Sequence, residues 1–242
     1  MPDFSKRGTT PELMDHEEVP FEEHRAVLRQ LTRANELSLA YRPTLAFFRR
    51  LKREGRLPKG RPLVVIDAAS GYGDMSRKID RWAQKNGVEA RFLGVDMNPQ
   101  AARAAAEATP PGRPITWLTA NLFDFRADFE VDIVMSSLFT HHLPGPELVG
   151  FIRWMEETAR IGWIVNDLKR HPLPYYFLKA AFFATRQHRF MRHDGPVSVA
   201  NAFRRGDWQG LLAEAGLSPG AASIEAWTPF RLCVTRVKDA TS

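Results

Sequence analysis

The sequence is poor in several features that would place it in a specialised class of protein. It holds one cysteine, Cys233, so an internal disulfide is excluded and a reducing compartment is indicated. No uninterrupted apolar run approaches the ~18 residues that a transmembrane helix needs. The N-terminus lacks the apolar stretch of a signal peptide, and no repeat or low-complexity tract is present. We therefore expect a soluble, cytoplasmic protein.

The length and composition are those of one ordinary globular domain. The chain has 242 residues, of which 44% are hydrophobic and 26% charged, and division into two cores begins only near ~250–300 residues. Lys and Arg number 34 against 28 Asp and Glu, which gives a formal net charge of +6. Basic chains often meet nucleic acid or anionic membranes. Because the arginines are dispersed, a solvated basic surface is the better interpretation, and we expect no nucleic-acid partner.

Apolar periodicity divides the chain into five segments. Two amphipathic helices are predicted in residues 21–60, separated by a break at Tyr41–Pro43, because the residue before a proline avoids helix. From Arg61 onward, strand-like runs alternate with helical stretches. The segments are a loose, proline-containing leader (1–20), the N-terminal helices (21–60), an alternating core (61–168), an aromatic insert (169–206) and a C-terminal helix with two strands (207–242).

The order of these elements predicts an α/β fold with seven strands in one mostly parallel sheet. Strands that alternate with helices of ten or more residues imply parallel pairing through right-handed crossovers. The last two strands, 222–227 and 232–237, are separated by only four residues, and a link that short forms an antiparallel hairpin. The other predicted strands are 63–66, 90–95, 115–118, 131–135 and 162–165, and the predicted helices include 75–84, 99–108, 147–158 and 207–215.

A small-residue turn after the first predicted strand is the first candidate ligand site. The run VVIDAASGYGD, residues 64–74, places Asp67 at the strand end and then Gly71 and Gly73, which let a ligand approach the backbone closely. A dinucleotide fingerprint would have a third glycine where Ser76 stands. Its pyrophosphate would also face Asp67 and Asp74, so a ligand with a cationic amino acid end fits better.

Polar residues also follow the next three predicted strands. Asp96 ends the second strand and could accept both hydroxyls of a ribose, although Asp96 or Asn98 could instead cap the helix that begins at Pro99. The third strand is followed by TANLFD, residues 119–124, which offers polar and apolar groups to an adenine. The fourth strand continues into SSLFTHHL, residues 136–143.

Together these four features resemble the class I S-adenosylmethionine-dependent methyltransferases, most closely the small-molecule enzymes of quinone and polyketide biosynthesis. The resemblance covers residues 60–168 and, in topology, the terminal hairpin. The family motif is Asp/Glu-x-Gly-x-Gly-x-Gly, whereas residues 67–73 read DAASGYG, with Ala69 in place of the first glycine. That departure would hamper binding only if the backbone there requires a positive φ.

The resemblance implies a Rossmann-like fold, S-adenosylmethionine as methyl donor and a set of donor-binding residues. Asp67 and the glycine turn would hold the methionine end, Asp96 the ribose and Met97 the adenine face, with Asn121 or its neighbours at the adenine amino group. The implied donor-binding residues are Asp67, Ala69, Gly71, Gly73, Asp96, Met97, Asn121, Leu122 and Ser137.

The methyl acceptor is predicted from chemistry. Transfer of a methyl group from a sulfonium has an excellent leaving group, so a base is needed only to remove the proton of the acceptor. A phenol has a pKa near ~10, and a histidine near ~6.5 is a sensible proton acceptor. Candidates are His141 and His142 after strand four, His171 after strand five and His193 in the insert, with Asp194 beside it; each could also be a loop histidine bonded to backbone.

No metal is expected. Asp167 after strand five could bind a metal ion, as in catechol-type methyltransferases, but no second and third ligand stands out in the sequence.

The insert is rich in aromatic residues, with basic residues between them. With Phe139 and the N-terminal helices, Tyr175 and Tyr176 could roof an apolar cleft for a hydrophobic aromatic acceptor, of a type found in secondary metabolism. The basic residues could also give a weak membrane-surface contact. The alternatives are methylation of carbon, a nucleic-acid methyltransferase, a non-enzymatic donor-binding subunit and a nicotinamide oxidoreductase. The oligomeric state is not predicted.

Overall fold

The computed structural model of the chain describes residues 2–239. The first residue of the predicted leader and the last three residues of the predicted C-terminal segment, 240–242, lie outside the described residues. Seven strands form one sheet in the order β3-β2-β1-β4-β5-β7-β6. β1 to β5 pair in parallel, and β7 is antiparallel to both β5 and β6. The predicted fold class is confirmed. The strands are Leu63–Ala68 (β1), Ala90–Asp96 (β2), Ile115–Thr119 (β3), Val131–Ser137 (β4), Ala159–Leu168 (β5), Ala222–Trp227 (β6) and Arg231–Val237 (β7).

Helices cover both faces of the sheet, and a 3-10 turn at Thr140–His142 follows β4. The α3 helix begins with Pro43 in its first turn, at the predicted break, where a proline without an N–H group is tolerated. The α-helices are Leu13–His16 (α1), Phe21–Leu37 (α2), Arg42–Arg53 (α3), Asp74–Lys85 (α4), Pro99–Glu107 (α5), Gly145–Thr158 (α6), Pro172–Ala184 (α7), Arg189–Asn201 (α8) and Arg205–Glu214 (α9).

The central strands are buried on both faces, which explains their continuous apolar runs. Successive side chains of a strand point to opposite faces, so Val65 packs with α3 and α4 while its neighbour Ile66 packs with α6 and α9. The carboxyl ends of β1, β4 and β5 meet at one edge of the sheet, because Ala68 pairs with Ser136 and Ser137 with Asn166. This edge brings the predicted site residues together.

The N-terminal segment differs from the loose leader that the sequence predicts. Gly8 N donates to Ala200 O at 2.9 Å, and Asn201 Nδ2 donates to Thr10 O at 2.7 Å. Arg7 donates to the carbonyl oxygens of Asn201 and His141, at 2.6 and 2.7 Å. Hydrogen bonds to distant residues anchor this segment, and such bonds leave no apolar periodicity in the sequence.

The aromatic insert forms α7 and α8. Phe190 and Met191 of α8 are buried against Val27 of α2. In contrast, α7 buries only Pro174 and leaves Phe177 and Phe183 exposed. No helix in residues 2–239 is long and apolar enough to span a membrane.

Candidate functional site

Asp67 closes the carboxyl end of β1 and is almost fully buried. The Ser76 hydroxyl of α4, which stands where a dinucleotide fingerprint has its third glycine, donates to Asp67 Oδ2 at 2.7 Å. Burial raises the pKa of Asp67 to about 7, and the nearby carboxylates of Asp74 and Asp96 add to the rise, although Ser76 opposes it. Asp67 is therefore a carboxyl group whose charge would be stabilised by a cationic ligand group.

The turn after β1 has left-handed backbone at three of its residues. Ala69 has φ +56°, Gly71 +50° and Gly73 +71°. The position where the family motif has its first glycine thus requires a positive φ, a conformation that disfavours an L-residue by roughly 1–2 kcal/mol. A Cβ at Gly73 would collide with the ring of Trp117 from β3, whereas a Cβ at Gly71 would meet open space. Gly73 is needed for packing, and Gly71 leaves room for a ligand.

Asp96 at the end of β2 is tied to the same turn. Its Oδ2 accepts from Gly71 N at 2.8 Å and its Oδ1 from Asn98 N at 2.9 Å. Burial raises its pKa, although these two backbone bonds oppose the rise. Asn98, and not Asp96, caps α5, because the Asn98 side chain accepts from Gln100 N. The second lone pair of each Asp96 oxygen stays available to a ligand. Met97, beside it, is 75% exposed.

The predicted donor-binding residues at the ends of β3 and β4 differ in their exposure and in their hydrogen bonds. The amide of Asn121 is engaged in a local turn, since it donates to Asp124 Oδ2 at 2.9 Å and accepts from Phe123 N at 3.1 Å. Leu122 is buried in the core. Ser137 ends β4 and is half-buried. Asn121 thus follows the carboxyl end of β3, at the predicted edge of the sheet. Its amide would have to break these local hydrogen bonds to contact an adenine.

The polar atoms at this edge fit a polar ligand such as the methyl donor. Within residues 2–239, the buried hydroxyls of Ser70 and Ser136, beside the ends of β1 and β4, have no hydrogen-bond partner. Unpaired buried polar groups are costly, so a ligand that pairs with them would be favoured. A cavity of about 340 Å³ between α3 and the middle of β5 and β7 lies away from this edge.

Five titratable residues form a second group beside these strand ends, which we call the histidine–carboxylate cluster: Glu12, Asp15, His141, His142 and Asp167. His141 Nδ1 lies 2.7 Å from Asp167 Oδ1, and its Nε2 lies 3.3 Å from Glu12 Oε1. His142 Nδ1 lies 2.7 Å from Asp15 Oδ2, and its Nε2 lies 3.9 Å from Glu12 Oε2.

Burial and charge set the protonation of the cluster. Burial by itself would lower the pKa of His141, but Asp167 and Glu12 outweigh it and raise the pKa to about 10. Burial would likewise raise the pKa of Asp167, yet His141 and Thr140 hold that pKa well below its usual range. The two carboxylates favour the charged form of His141 in this arrangement, while its role as a base stays a prediction.

The other two predicted histidines lie outside the cluster. His171 is exposed and caps α7, where its Nδ1 accepts from Leu173 N at 3.1 Å. His193 Nδ1 lies 2.7 Å from its neighbour Asp194, which confirms the predicted contact between the two. Asp194 also accepts from Leu13 N and Met14 N and so fixes the start of α1. Both histidines fit the alternative of structural loop or cap residues.

The predicted acceptor residues do not converge on one closed cleft. Phe139 turns inward and packs edge-on against Phe151, with ring centroids 5.4 Å apart. Tyr175 packs edge-on against Phe4 and against Tyr176, at 5.3 and 5.1 Å. The tyrosines therefore contact the N-terminal segment, and Phe139 contributes to the core below the loop that carries His141.

No sequence pattern marks Glu12 and Asp15 as site residues, because both lie in an aperiodic polar stretch. Tyr41, predicted only as part of a helix break, donates to Asp74 Oδ2 at 2.6 Å, at the start of the helix that follows the glycine turn. Only the tertiary structure brings these residues to the site.

Comparisons with known proteins agree with this geometry. Residues 65–162 match the family model described as methyltransferase domain. No curated protein matches the chain. Solved structures share its fold at low identity, so they show the fold alone. The magnesium protoporphyrin IX methyltransferase of Synechocystis PCC 6803, with bound S-adenosylhomocysteine, is 18% identical over 92% of this chain and 89% of that chain, with a TM-score of 0.55.

Two further solved structures are similar. Human N-acetylserotonin methyltransferase with S-adenosylmethionine is 11% identical over 91% of this chain and 57% of that chain, with a TM-score of 0.62. The plantazolicin methyltransferase BpumL with S-adenosylhomocysteine is 11% identical over 90% of this chain and 96% of that chain, with a TM-score of 0.59. The family match, on this fold, makes the chain an enzyme that transfers methyl groups.

Proposed function

Residues 65–162 match a methyltransferase domain, and we propose that the chain uses S-adenosylmethionine to methylate a hydroxyl of a hydrophobic aromatic small molecule, of phenolic, quinol or polyketide type. The observation that carries this proposal is the histidine–carboxylate cluster at the ends of β4 and β5, beside the predicted donor site. A hydroxyl needs to lose a proton as it is methylated, and the cluster supplies groups for that step.

The donor site is proposed to use the residues that the family resemblance implies. Asp96 accepts the ribose hydroxyls with the lone pairs that Gly71 N and Asn98 N leave free. Asp67 faces the cationic amino acid end, and Gly71 allows the close approach. The hydroxyls of Ser70 and Ser136, which have no partner within the described residues, form hydrogen bonds with the donor. Met97, Asn121 and Leu122 border the adenine.

When the acceptor oxygen attacks the methyl of a bound donor, the carbon–sulfur bond breaks and S-adenosylhomocysteine leaves as a neutral thioether. Because this is an excellent leaving group, much of the rate comes from positioning. His142 is the proposed proton acceptor, because it is one-quarter exposed and within reach of a ligand, whereas His141 is 3% exposed. The Asp15 carboxylate holds His142 Nδ1 and directs Nε2 toward Glu12 and the acceptor space.

The test is a panel of phenols and quinols offered with S-adenosylmethionine, with the methylated atom located by mass spectrometry and NMR. We expect O-methyl products from the wild type. His142→Ala should lower kcat by ~10²–10⁴-fold with unchanged S-adenosylhomocysteine affinity, and His171→Ala is the matched control. If only ring carbon is methylated, the proposal of a hydroxyl target is wrong and the enzyme is a C-methyltransferase. An unchanged kcat in His142→Ala would exclude it as the base.

A weak contact with an anionic membrane is proposed as well. Residues 168–193 contain six Lys or Arg and no Asp or Glu, and α7 exposes Leu173, Phe177 and Phe183. Aromatic side chains among cations are typical of helices that bind lipid surfaces. Phe177→Ser should reduce co-sedimentation with phosphatidylglycerol vesicles, whereas Phe129→Ser, at an exposed phenylalanine elsewhere, should not. Equal co-sedimentation of both variants and the wild type would contradict this contact.

A further inference from the structure

We propose that Glu12, His141 and His142 form a binding site for one divalent first-row transition metal ion of the zinc type. The three side chains come from two places that are far apart in the chain, the N-terminal segment and the turn after β4. Their candidate ligand atoms all lie within 4.8 Å of one another.

The distance between His141 and Glu12 matches that of a tetrahedral metal site, and the distance between His142 and Glu12 is somewhat longer. With metal–ligand bonds of ~2.0–2.1 Å, the donor atoms of such a site are separated by about 3.3 Å. Here His141 Nε2 lies 3.3 Å from Glu12 Oε1, and His142 Nε2 lies 3.9 Å from Glu12 Oε2. A charge-assisted hydrogen bond between such groups would be shorter, at ~2.7–2.9 Å. The spacing leaves room for an ion between the three groups.

The residues behind the three ligands are those that a metal site needs. A metal-bound histidine normally gives its second nitrogen to a carboxylate, which fixes the ring. Both histidines do so here, His141 with Asp167 and His142 with Asp15, each at 2.7 Å. The hydroxyl of Ser198 lies 2.6 Å from Glu12 Oε1 and orients the third ligand. Each of the three ligands is thus held by an outer partner.

The charge of the cluster also calls for a cation. Three carboxylates surround two imidazoles, and Glu12, Asp167 and His141 are all more than nine-tenths buried. Arg7 of the N-terminal segment gives its N–H groups to the carbonyl oxygens of His141 and Asn201 rather than to these carboxylates.

The ligand types select the metal. Imidazole suits Zn²⁺, Co²⁺, Ni²⁺ and Fe²⁺, whereas Mg²⁺ and Ca²⁺ prefer oxygen. Three protein ligands leave a fourth position open, as in sites that bind a substrate. An acceptor hydroxyl that took this position would ionise more readily, and this role rests on the proposed function.

The proposed site would add a metal ion that the sequence does not predict. Asp167 was the one candidate ligand in the sequence, and it lacked companions. In the structure its oxygens are occupied by His141, Thr140 and Leu168 N, so Asp167 is an outer partner. Transfer of a sulfonium methyl needs no metal, and the ion would act only on the acceptor. With the ion bound, His142 would be a ligand through Nε2, so His142 would take the acceptor's proton only in the metal-free enzyme.

The experiment uses the full chain without a histidine tag, treated with chelator, desalted and titrated with ZnCl₂ by calorimetry and with CoCl₂ by absorption spectroscopy. We expect one equivalent to bind with a Kd of about 1 μM or tighter, and Co²⁺ to give the visible bands of a tetrahedral site. Glu12→Gln and His142→Ala should weaken binding by at least ~100-fold, and Asp15→Asn by ~10–100-fold. His171→Ala and His193→Ala are the matched controls and should bind normally.

The site would be overturned if the wild type took up no stoichiometric metal. It would also be overturned if Glu12→Gln and His142→Ala bound the metal as tightly as the wild type. Asp15 is 44% exposed, so Asp15→Asn should fold even where a ligand variant does not, as circular dichroism would verify. If chelated enzyme still methylates aromatic hydroxyls at the wild-type rate, the metal role fails and the proposed function stands. If metal binds but no aromatic acceptor is methylated, the site stands and the proposed function fails.

Discussion

The two halves of the site are built in different ways. The donor half is local: Asp67, Gly71 and Asp96 lie within thirty residues of one another, and backbone N–H groups and left-handed φ angles define its shape. The acceptor half is made of side chains from three distant segments, with Glu12 meeting His141 and Asp15 meeting His142. Short-range backbone geometry makes the donor half robust, whereas the acceptor half depends on the correct packing of the N-terminal segment.

The largest effect should come from the acceptor half, through Asp167→Ala. Asp167 is 2% exposed and accepts from Thr140 Oγ1 at 2.6 Å as well as pairing with His141. Removing one member of a buried ion pair leaves the other uncompensated, at a cost of about 3–5 kcal/mol. The free energy of unfolding, measured by urea denaturation, should fall by about that amount. Asp124→Ala, at an exposed acid, should change it by less than ~1 kcal/mol. Equal losses would show that tertiary pairing does not set the stability of this half.

Asp96→Ala probes the donor half through affinity. The variant loses the acceptor of Gly71 N and Asn98 N and of the proposed ribose hydroxyls. Hydrogen bonds to a charged group contribute about 1.5–3 kcal/mol each, so S-adenosylhomocysteine affinity should fall ~100-fold or more by calorimetry. Met97→Ala, beside it, should change affinity by less than ~10-fold. Unchanged binding in Asp96→Ala would remove Asp96 from the ribose role.

This difference between the halves also explains what the sequence could predict. All seven strands were predicted to within a few residues, with β5 beginning at Ala159 instead of Gly162, because apolar runs and glycine turns are local signals. The polar residues after β1 and β2 were predicted for the same reason. Glu12 was not predicted as a site residue, since nothing near it in sequence records that Ser198 and His141 will surround it. The sequence left either Asp96 or Asn98 as the cap of α5, and only the hydrogen bonds of the structure identify Asn98.

The pH dependence of donor binding sharpens the comparison further, because it isolates one carboxyl group of the donor half. The pKa of Asp67 is raised to about 7, above its unfolded value, so the free protein holds the protonated form in mildly acidic solution and loses stability as pH rises from about 4 to 7. A cationic ligand prefers ionised Asp67. S-adenosylhomocysteine affinity should therefore rise with pH between 5.5 and 7, by up to ~10-fold per unit, while the ligand's ammonium stays charged. Asp67→Asn should flatten this dependence. A flat wild-type profile would place the cationic end elsewhere.

The smallest effect concerns strain, which both halves carry. Ala69 in the donor turn has φ +56° and Leu138 after β4 has φ +57°, and strained residues of this kind cluster at functional sites. Ala69→Gly should relieve about 1–2 kcal/mol of strain and lose about 0.4–1 kcal/mol to the greater entropy of the unfolded chain. The free energy of unfolding should therefore rise slightly, by at most about 1.5 kcal/mol, with donor affinity kept or improved. Ala68→Gly, one residue earlier in the buried strand, is the matched control and should destabilise the protein by about 0.5–1 kcal/mol. If Ala69→Gly destabilises as much as Ala68→Gly, the alanine is not strained, and the donor half is shaped by side-chain packing in the same way as the acceptor half.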